Sequence, residues 1–448
     1  MKNERFRIYE SHYKANFSLA LPVIFSQAGQ MIVALTDNLM VGRLGAAQLA
    51  AVALANNIFV VGMMFGLGLI TGLTPLAGKA IGAKNRLEAT GWLKQAVITH
   101  PVSSLLLTGI MAMGVLIMPH MGQAREVVEL ALPYYLVLVS SIIPLNIFFL
   151  YKQYAEALGN THIAMAITLI SGLLNVFFNY LLIYGKLGFP AYGIVGAGYA
   201  TLISRIFMAV AAIFIFFRMD FFKPDRINWK LSYFKFRQAL ELLKIGLPIG
   251  GQYIIEMLAF SIGSFMMGWL GTKELAAHQI VMSLVSLTYM ISSGMASATT
   301  IKVSHFRGQH KLKAMNRAIY ASIHMVLFFM LFSLSCFIIF RYKIPGLFVQ
   351  DAEVISIAAG LMLIAGMFQL FDGLQVTLLG ALRGMEDVRI PTILLIIAYF
   401  VVALPTSYLA AFVFDMGTNG VWLGYLVGLF LVSVQLFIRY RWKVKKMS

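Results

Sequence analysis

The chain has 448 residues, of which 60% are apolar and only 12% are charged, whereas an ordinary soluble domain carries about 25% charged residues. That balance excludes a water-soluble globular fold and makes lipid the expected solvent. A single cysteine, Cys336, excludes a disulfide framework and a Cys-rich metal site, and the lack of a Gly-x-x-x-x-Gly-Lys-[Ser/Thr] loop excludes P-loop ATP hydrolysis.

A basic tail, residues 1–14, leads directly into the first apolar run and lacks the layout of a signal peptide. Roughly 20 apolar residues suffice to cross a bilayer, and twelve such runs follow. The first, near 17–39, holds Pro22 and places Gln27, Gln30, Ala34 and Asp37 on one helical face with Asn38 beside it. Runs near 50–75, 93–118 and 131–155 come next, the last containing Pro144. The fifth, 162–184, carries a stripe of Thr168, Ser171, Asn175 and Asn179, and the sixth, 194–217, carries Arg205 at its middle, one turn after Thr201. The longest polar linker, 218–241, separates these from the seventh run, 242–267, where Pro248 precedes a face of Gln252, Glu256, Ala259 and Gly263. The eighth, 276–300, aligns Gln279, Ser283, Ser286 and Ser293, with Tyr289 and Met290 between the last two. After the ninth, 317–341, the tenth, 354–380, clusters Gln369, Asp372 and Gln375; runs at 391–414, holding Pro405, and 419–438 complete the set.

The basic residues alternate with these runs. Of the 35 Lys and Arg, 28 fall in the tails and in the connections after even-numbered runs, counting the helix ends that border them. Six fall after odd-numbered runs, and Arg205 lies within one. The positive-inside rule therefore puts both termini and the 218–241 linker in the cytoplasm, and it accounts for the net charge of +17 without a nucleic-acid partner. The two sets of six also repeat. Leu21-Pro22, Gly42, Leu44-Gly45, Leu49-Ala50-Ala51 and Gly82 recur 226 residues later as Leu247-Pro248, Gly268, Leu270-Gly271, Leu275-Ala276-Ala277 and Gly308. Ala157-Leu158 and Gly193-x-x-Gly196 recur at an offset of 224. The expected fold is an all-α polytopic membrane protein of twelve transmembrane helices in two pseudo-symmetric six-helix lobes, 1–217 and 242–448, joined by the linker. An even number of runs per half makes the repeats parallel, a layout used by two-lobed transporters.

Three acids lie well inside apolar runs: Asp37, Glu256 and Asp372. Each costs about 2.5–3.5 kcal/mol to place at a span centre, which marks them as part of an ion or substrate path. The repeat fails at these positions, since Asp37 aligns with Gly263 and Glu256 with Gln30. Carboxylates in a low-dielectric site can coordinate a small cation directly, or they can exchange a proton; either use competes with a cationic substrate, and spacing alone does not choose between them. The 26 Met and 34 Phe supply soft, aromatic lining for lipophilic cations, as well as bulk that faces lipid.

These segments together resemble the multidrug and toxic compound extrusion (MATE) transporters, most closely the NorM-like branch, over nearly the whole chain. The Leu-Gly-x-x-x-Leu-Ala-Ala duplicates, Gly-Lys-Ala-Ile-Gly-Ala-Lys at 78–84, Glu-Ala-Leu-Gly-Asn at 156–160 and Gly-Ala-Leu-Arg-Gly-Met-Glu-Asp at 380–387 carry the resemblance. It implies a MATE/MOP-like, V-shaped exporter in the cytoplasmic (inner) membrane that exchanges Na⁺ or H⁺ for organic cations by alternating access. It further implies a cation site on Glu256 and Asp372, an aromatic near it at Tyr289, and an acid of the first lobe at Asp37 with Asn175 and Asn179 close by. With all three acids present, Na⁺ is the favoured coupling ion and H⁺ the other. No cofactor and no enzymatic activity are expected; the expected partners are small cationic substrates and membrane lipids, with the protein a monomer. The loop at 304–310, Ser-His-Phe-Arg-Gly-Gln-His, departs from the more regular Gly-Ala pattern usual in relatives, and the resemblance carries no role over to Arg205. A flippase for a lipid-linked sugar, from the same superfamily, is the alternative, but it calls for a cavity rich in Arg and Lys. A membrane-embedded transferase would need an acidic metal cluster at the membrane face, where only Glu386-Asp387 occurs.

Overall fold

The computed structural model describes residues 2–227 and 234–447. Twelve of its helices are long and apolar enough to cross a membrane. They are α1 (Tyr9–Gly42), α2 (Ala46–Gly82), α3 (Arg86–His120), α4 (Arg125–Ala157), α5 (His162–Tyr184) and α6 (Gly193–Arg218), followed by α7 (Phe236–Leu270), α8 (Thr272–Gly308), α9 (Leu312–Phe340), α10 (Ala352–Gly384), α11 (Arg389–Val413) and α12 (Gly417–Met447). Every expected apolar run lies at one of these helices. Most helices extend a turn or more past the apolar run, because hydropathy marks the hydrocarbon core while the helical backbone continues into the interface.

The chain forms two compact units, Phe25–Gly250 and Met1–Ile24 with Gly251–Ser448. The divisions fall inside α1 and α7, three residues after the equivalent prolines Pro22 and Pro248. Of the expected linker 218–241, residues 228–233 lie outside the described residues. Its short helix Lys223–Ile227 is pinned to the first unit by Asp225, which is fully buried. Asp225 accepts from Nε and Nη2 of Arg86, at 3.0 and 2.8 Å, and from the hydroxyls of Thr90 and Tyr154, at 2.8 and 2.9 Å.

Without a hydrophobic drive between helices in lipid, close packing relies on small residues. In the unit 25–250, a Cβ on Gly68 would fall 2.3 Å from the Cα of Gly250, so the backbones of α2 and the first turns of α7 touch there. In the other unit, Gly380 and Gly384 let α10 lie against the backbone of α8 at Ala296 and Thr300, whose hydroxyl donates to the Gly380 carbonyl at 2.8 Å. Gly420, Gly424 and Gly428 form a stripe on α12 that abuts Ala410, Ser407 and Ala403 of α11. Helix α11 itself widens into π turns over Ile397–Ala403 and Leu409–Val413, on either side of Pro405. A proline removes one i→i−4 bond and crowds the preceding turn, and a π turn absorbs that misfit. Pro144 similarly interrupts α4 at Ser141.

Candidate functional site

Two polar clusters form, one in each unit. In the unit containing 251–448, α7 contributes Gln252, Tyr253 and Glu256, α10 contributes Asp372, Gln375 and Arg383, α8 contributes Tyr289, and α11 contributes Tyr399. Glu256 accepts from the Gln375 amide at 2.8 Å, and Gln375 in turn accepts from the Tyr399 hydroxyl at 3.1 Å. Tyr399 sits in the first π turn of α11. Gln375 is thus fixed at both ends of its amide and holds one Glu256 oxygen in place. Asp372 is buried, with 6% of its surface exposed. It forms no hydrogen bond and no ion pair among the described residues, and it lies within range of the Glu256 charge. Tyr289 lies in the field of both acids.

Arg383 closes the far end of this cluster. Eleven residues after Asp372, or about three turns of 3.6 residues, it returns to the same face of α10. Its guanidinium donates to Gln252 Oε1 at 3.2 and 2.8 Å and to the Tyr253 hydroxyl at 3.2 Å, and it lies within range of the Glu256 charge. Gln252 is fully buried and passes its own amide protons to Thr392 Oγ1 and the Val388 carbonyl at 3.0 and 3.3 Å. Gln279 is exposed and is not bonded to either acid among the described residues. With all three charged groups ionised, two carboxylates and one guanidinium leave the cluster one negative charge in excess.

In the unit 25–250, Asp37 of α1 accepts from Asn179 of α5 at 2.5 Å. Asn179 also donates to Asn175 at 3.0 Å, and Asn175 reaches Thr201 of α6 at 3.5 Å. Both asparagines are buried. One turn beyond Thr201, Arg205 donates to Ser141 Oγ at 2.5 Å, at the break that Pro144 makes in α4, and lies 4.9 Å over the Phe59 ring. Arg205 forms no ion pair among the described residues, yet it shares an electrostatic neighbourhood with Asp37 and Tyr134. Here one acid meets one guanidinium, so the cluster is already balanced. Gln30 is exposed and is not bonded to Asp37 among the described residues.

The spacing of polar residues identified the acids and the asparagine stripe. It did not assign Arg383, which counts as a loop cation if α10 ends near 380, nor Tyr399, whose hydroxyl is the only polar group in its stretch of α11. Arg205 was visible mid-run, but its partners were not. The three-turn spacing of Asp372 and Arg383 is the signal that could have joined them.

The sequence matches the MatE family profile twice, over residues 22–181 and 248–409, segments that begin 226 residues apart. It is 31% identical to a probable multidrug resistance protein NorM of Agrobacterium fabrum, across 97% of this chain and 95% of that protein. A second protein of that description, from Rhizobium meliloti, is also 31% identical, across 97% and 93%. Among solved structures, the bent form of the Vibrio cholerae MATE transporter VcmN superposes with a TM-score of 0.89 over 98% of this chain and 99% of that one, at 18% identity.

Proposed function

Because the chain belongs to the MATE family, as a NorM-type multidrug efflux transporter and not an enzyme, we propose that it is an antiporter that exchanges Na⁺ for organic cations by alternating access in the cytoplasmic membrane, with both termini cytoplasmic. The observation that carries the choice of site is the unpartnered, buried carboxylate of Asp372 beside Glu256. Two carboxylates and Arg383 leave one negative charge, which one monovalent cation neutralises; an ion or a cationic substrate can therefore compete for the same place. The Asp37 cluster is balanced internally by Arg205 and makes no such demand. H⁺ in place of Na⁺ satisfies the same charge count and is the second reading of the coupling ion. The sequence halves 1–217 and 242–448 are proposed as the duplicated lobes.

Oxygen ligands suit Na⁺, and the cluster offers those of Asp372 and the Glu256 oxygen left free by Gln375. Arg383, near the end of α10, and Gln252, midway along α7, hold the two helices together, which keeps the two acids in register. The test is a Na⁺ titration of thermal unfolding in detergent at fixed ionic strength, using potassium chloride as balance. A ligand that binds only the folded protein raises its stability by about 2.7 kcal/mol at 100 times its dissociation constant. Wild type is expected to gain stability with Na⁺, and Asp372→Asn and Glu256→Gln are expected to lose that response while still folding. A response retained in both variants would move the ion elsewhere.

A further inference from the structure

The end of α12 forms a third polar site, one that the transport reading does not use. Helix α12 has 31 residues, or roughly 46 Å at 1.5 Å per residue, against a hydrocarbon core of about 30 Å. Its last turns, with Arg439, Arg441, Lys443, Lys445 and Lys446, therefore project into the headgroup layer. There they form, with the first turns of α9, an open cavity of about 660 Å³ whose lining includes Asn316, Tyr320, Ile438, Arg441, Trp442 and Lys445.

The charges at this end are not equivalent. Arg439 and Lys443 face Asp387, at 2.8 and 3.9 Å. Arg441 forms no ion pair among the described residues; its guanidinium is held by the Tyr320 hydroxyl at 2.9 Å and lines the cavity. Tyr440, buried beneath, ties α12 to α9 through Asn316 at 2.7 Å, so the cavity floor is fixed. Ile438, Arg441, Trp442 and Lys445 share one helical face. Ile438 and Trp442 are 61% and 49% exposed on that face, and Trp442 lies between Arg439 and Lys446, 4.5 and 5.3 Å from its ring.

We propose that this cavity binds the phosphodiester headgroup of an anionic membrane phospholipid, with Arg441 and Lys445 on the phosphate and the acyl chains along Ile438 and Trp442. A free phosphate would use the two cations but not the apolar wall, and the continuity of the two on one face favours the lipid. The experiment titrates the thermal unfolding of the full-length protein in detergent with phosphatidylglycerol, phosphatidylcholine or inorganic phosphate. Wild type is expected to be stabilised by phosphatidylglycerol alone. The double variant Arg441→Gln with Lys445→Gln is expected to need about thirtyfold more of it, from two basic contacts near an anionic surface. Tyr320→Phe, which keeps the ring and removes only the hydroxyl that holds Arg441, is expected to weaken the response less, and it carries the test if the double variant fails to fold. An undiminished response in these variants would overturn the proposal. Equal stabilisation by phosphatidylcholine, or by inorganic phosphate, would overturn it as well, the latter by assigning the cavity to a soluble anion.

Discussion

Each acid inside an apolar run is answered differently by its neighbours. Asp37 is bonded to Asn179 and lies in the field of Arg205, Glu256 is held by Gln375, and Asp372 has no bonding partner among the described residues. Removing one member of a charge-compensated buried set leaves its counterpart unpaired, which costs about 3–5 kcal/mol for a direct buried pair and less across a gap. Arg205→Gln should therefore destabilise the protein. Arg205→Lys should recover most of the loss because the charge is kept. A loss that Arg205→Lys does not recover would mean that Arg205 serves only to pack against Ser141 and Phe59. Arg383→Gln likewise removes a positive charge from the other cluster, leaving it two negative charges in excess. Its stability should become more dependent on added Na⁺ than that of wild type, as read from the slope of melting temperature against Na⁺.

At the scale of elements, α8 meets α10, and α11 meets α12, through glycine, and the first of these contacts places Asp372. A Cβ on Gly380 would lie 2.5 Å from the Ala296 carbonyl oxygen of α8. Gly380→Ala must push α10 away and is expected to cost about 1–3 kcal/mol, with a fall in Na⁺ response because Asp372 lies about two turns earlier on the same helix. Gly109 of α3 has nothing within 4 Å of its Cβ direction, so Gly109→Ala should be neutral, or stabilising by up to about 1 kcal/mol. Thermal unfolding of the two variants decides it, and equal gains would show that helix propensity rather than contact governs both.

The elements also show how the sequence could be read. Gly45 and Gly271, equivalent by the 226-residue offset, begin α2 and α8 with φ of 134° and 153°, a region in which a side chain is strained. Lys84 and His310, also 226 apart, take the left-handed turn after Gly82 and Gly308, with φ of 59° and 56°. Gly193 and Gly417, 224 apart, both have φ of 56°. The repeat was legible at the glycine pairs because these backbone conformations restrict residue type. Tyr399 and Arg383 were not legible in the same way: periodicity reports which residues share a face of one helix, whereas their roles depend on a π turn and on a neighbouring helix.

Across the whole molecule, twelve spans and a twofold repeat follow from hydropathy, charge placement and recurrent glycines, and the acids break the repeat. The compact unit containing 251–448 holds a cluster short of one positive charge, and the unit 25–250 holds a balanced one. Transport that couples an ion to a cationic substrate needs the first kind of site. The most direct measurement is export of a cationic dye from proteoliposomes under a Na⁺ gradient or a pH gradient imposed separately, with wild type and Asp372→Asn. Dye movement driven by Na⁺ and lost in the variant is the predicted result. Movement driven by the pH gradient alone, or Na⁺-driven movement that survives Asp372→Asn, would contradict a Na⁺ site on Glu256 and Asp372.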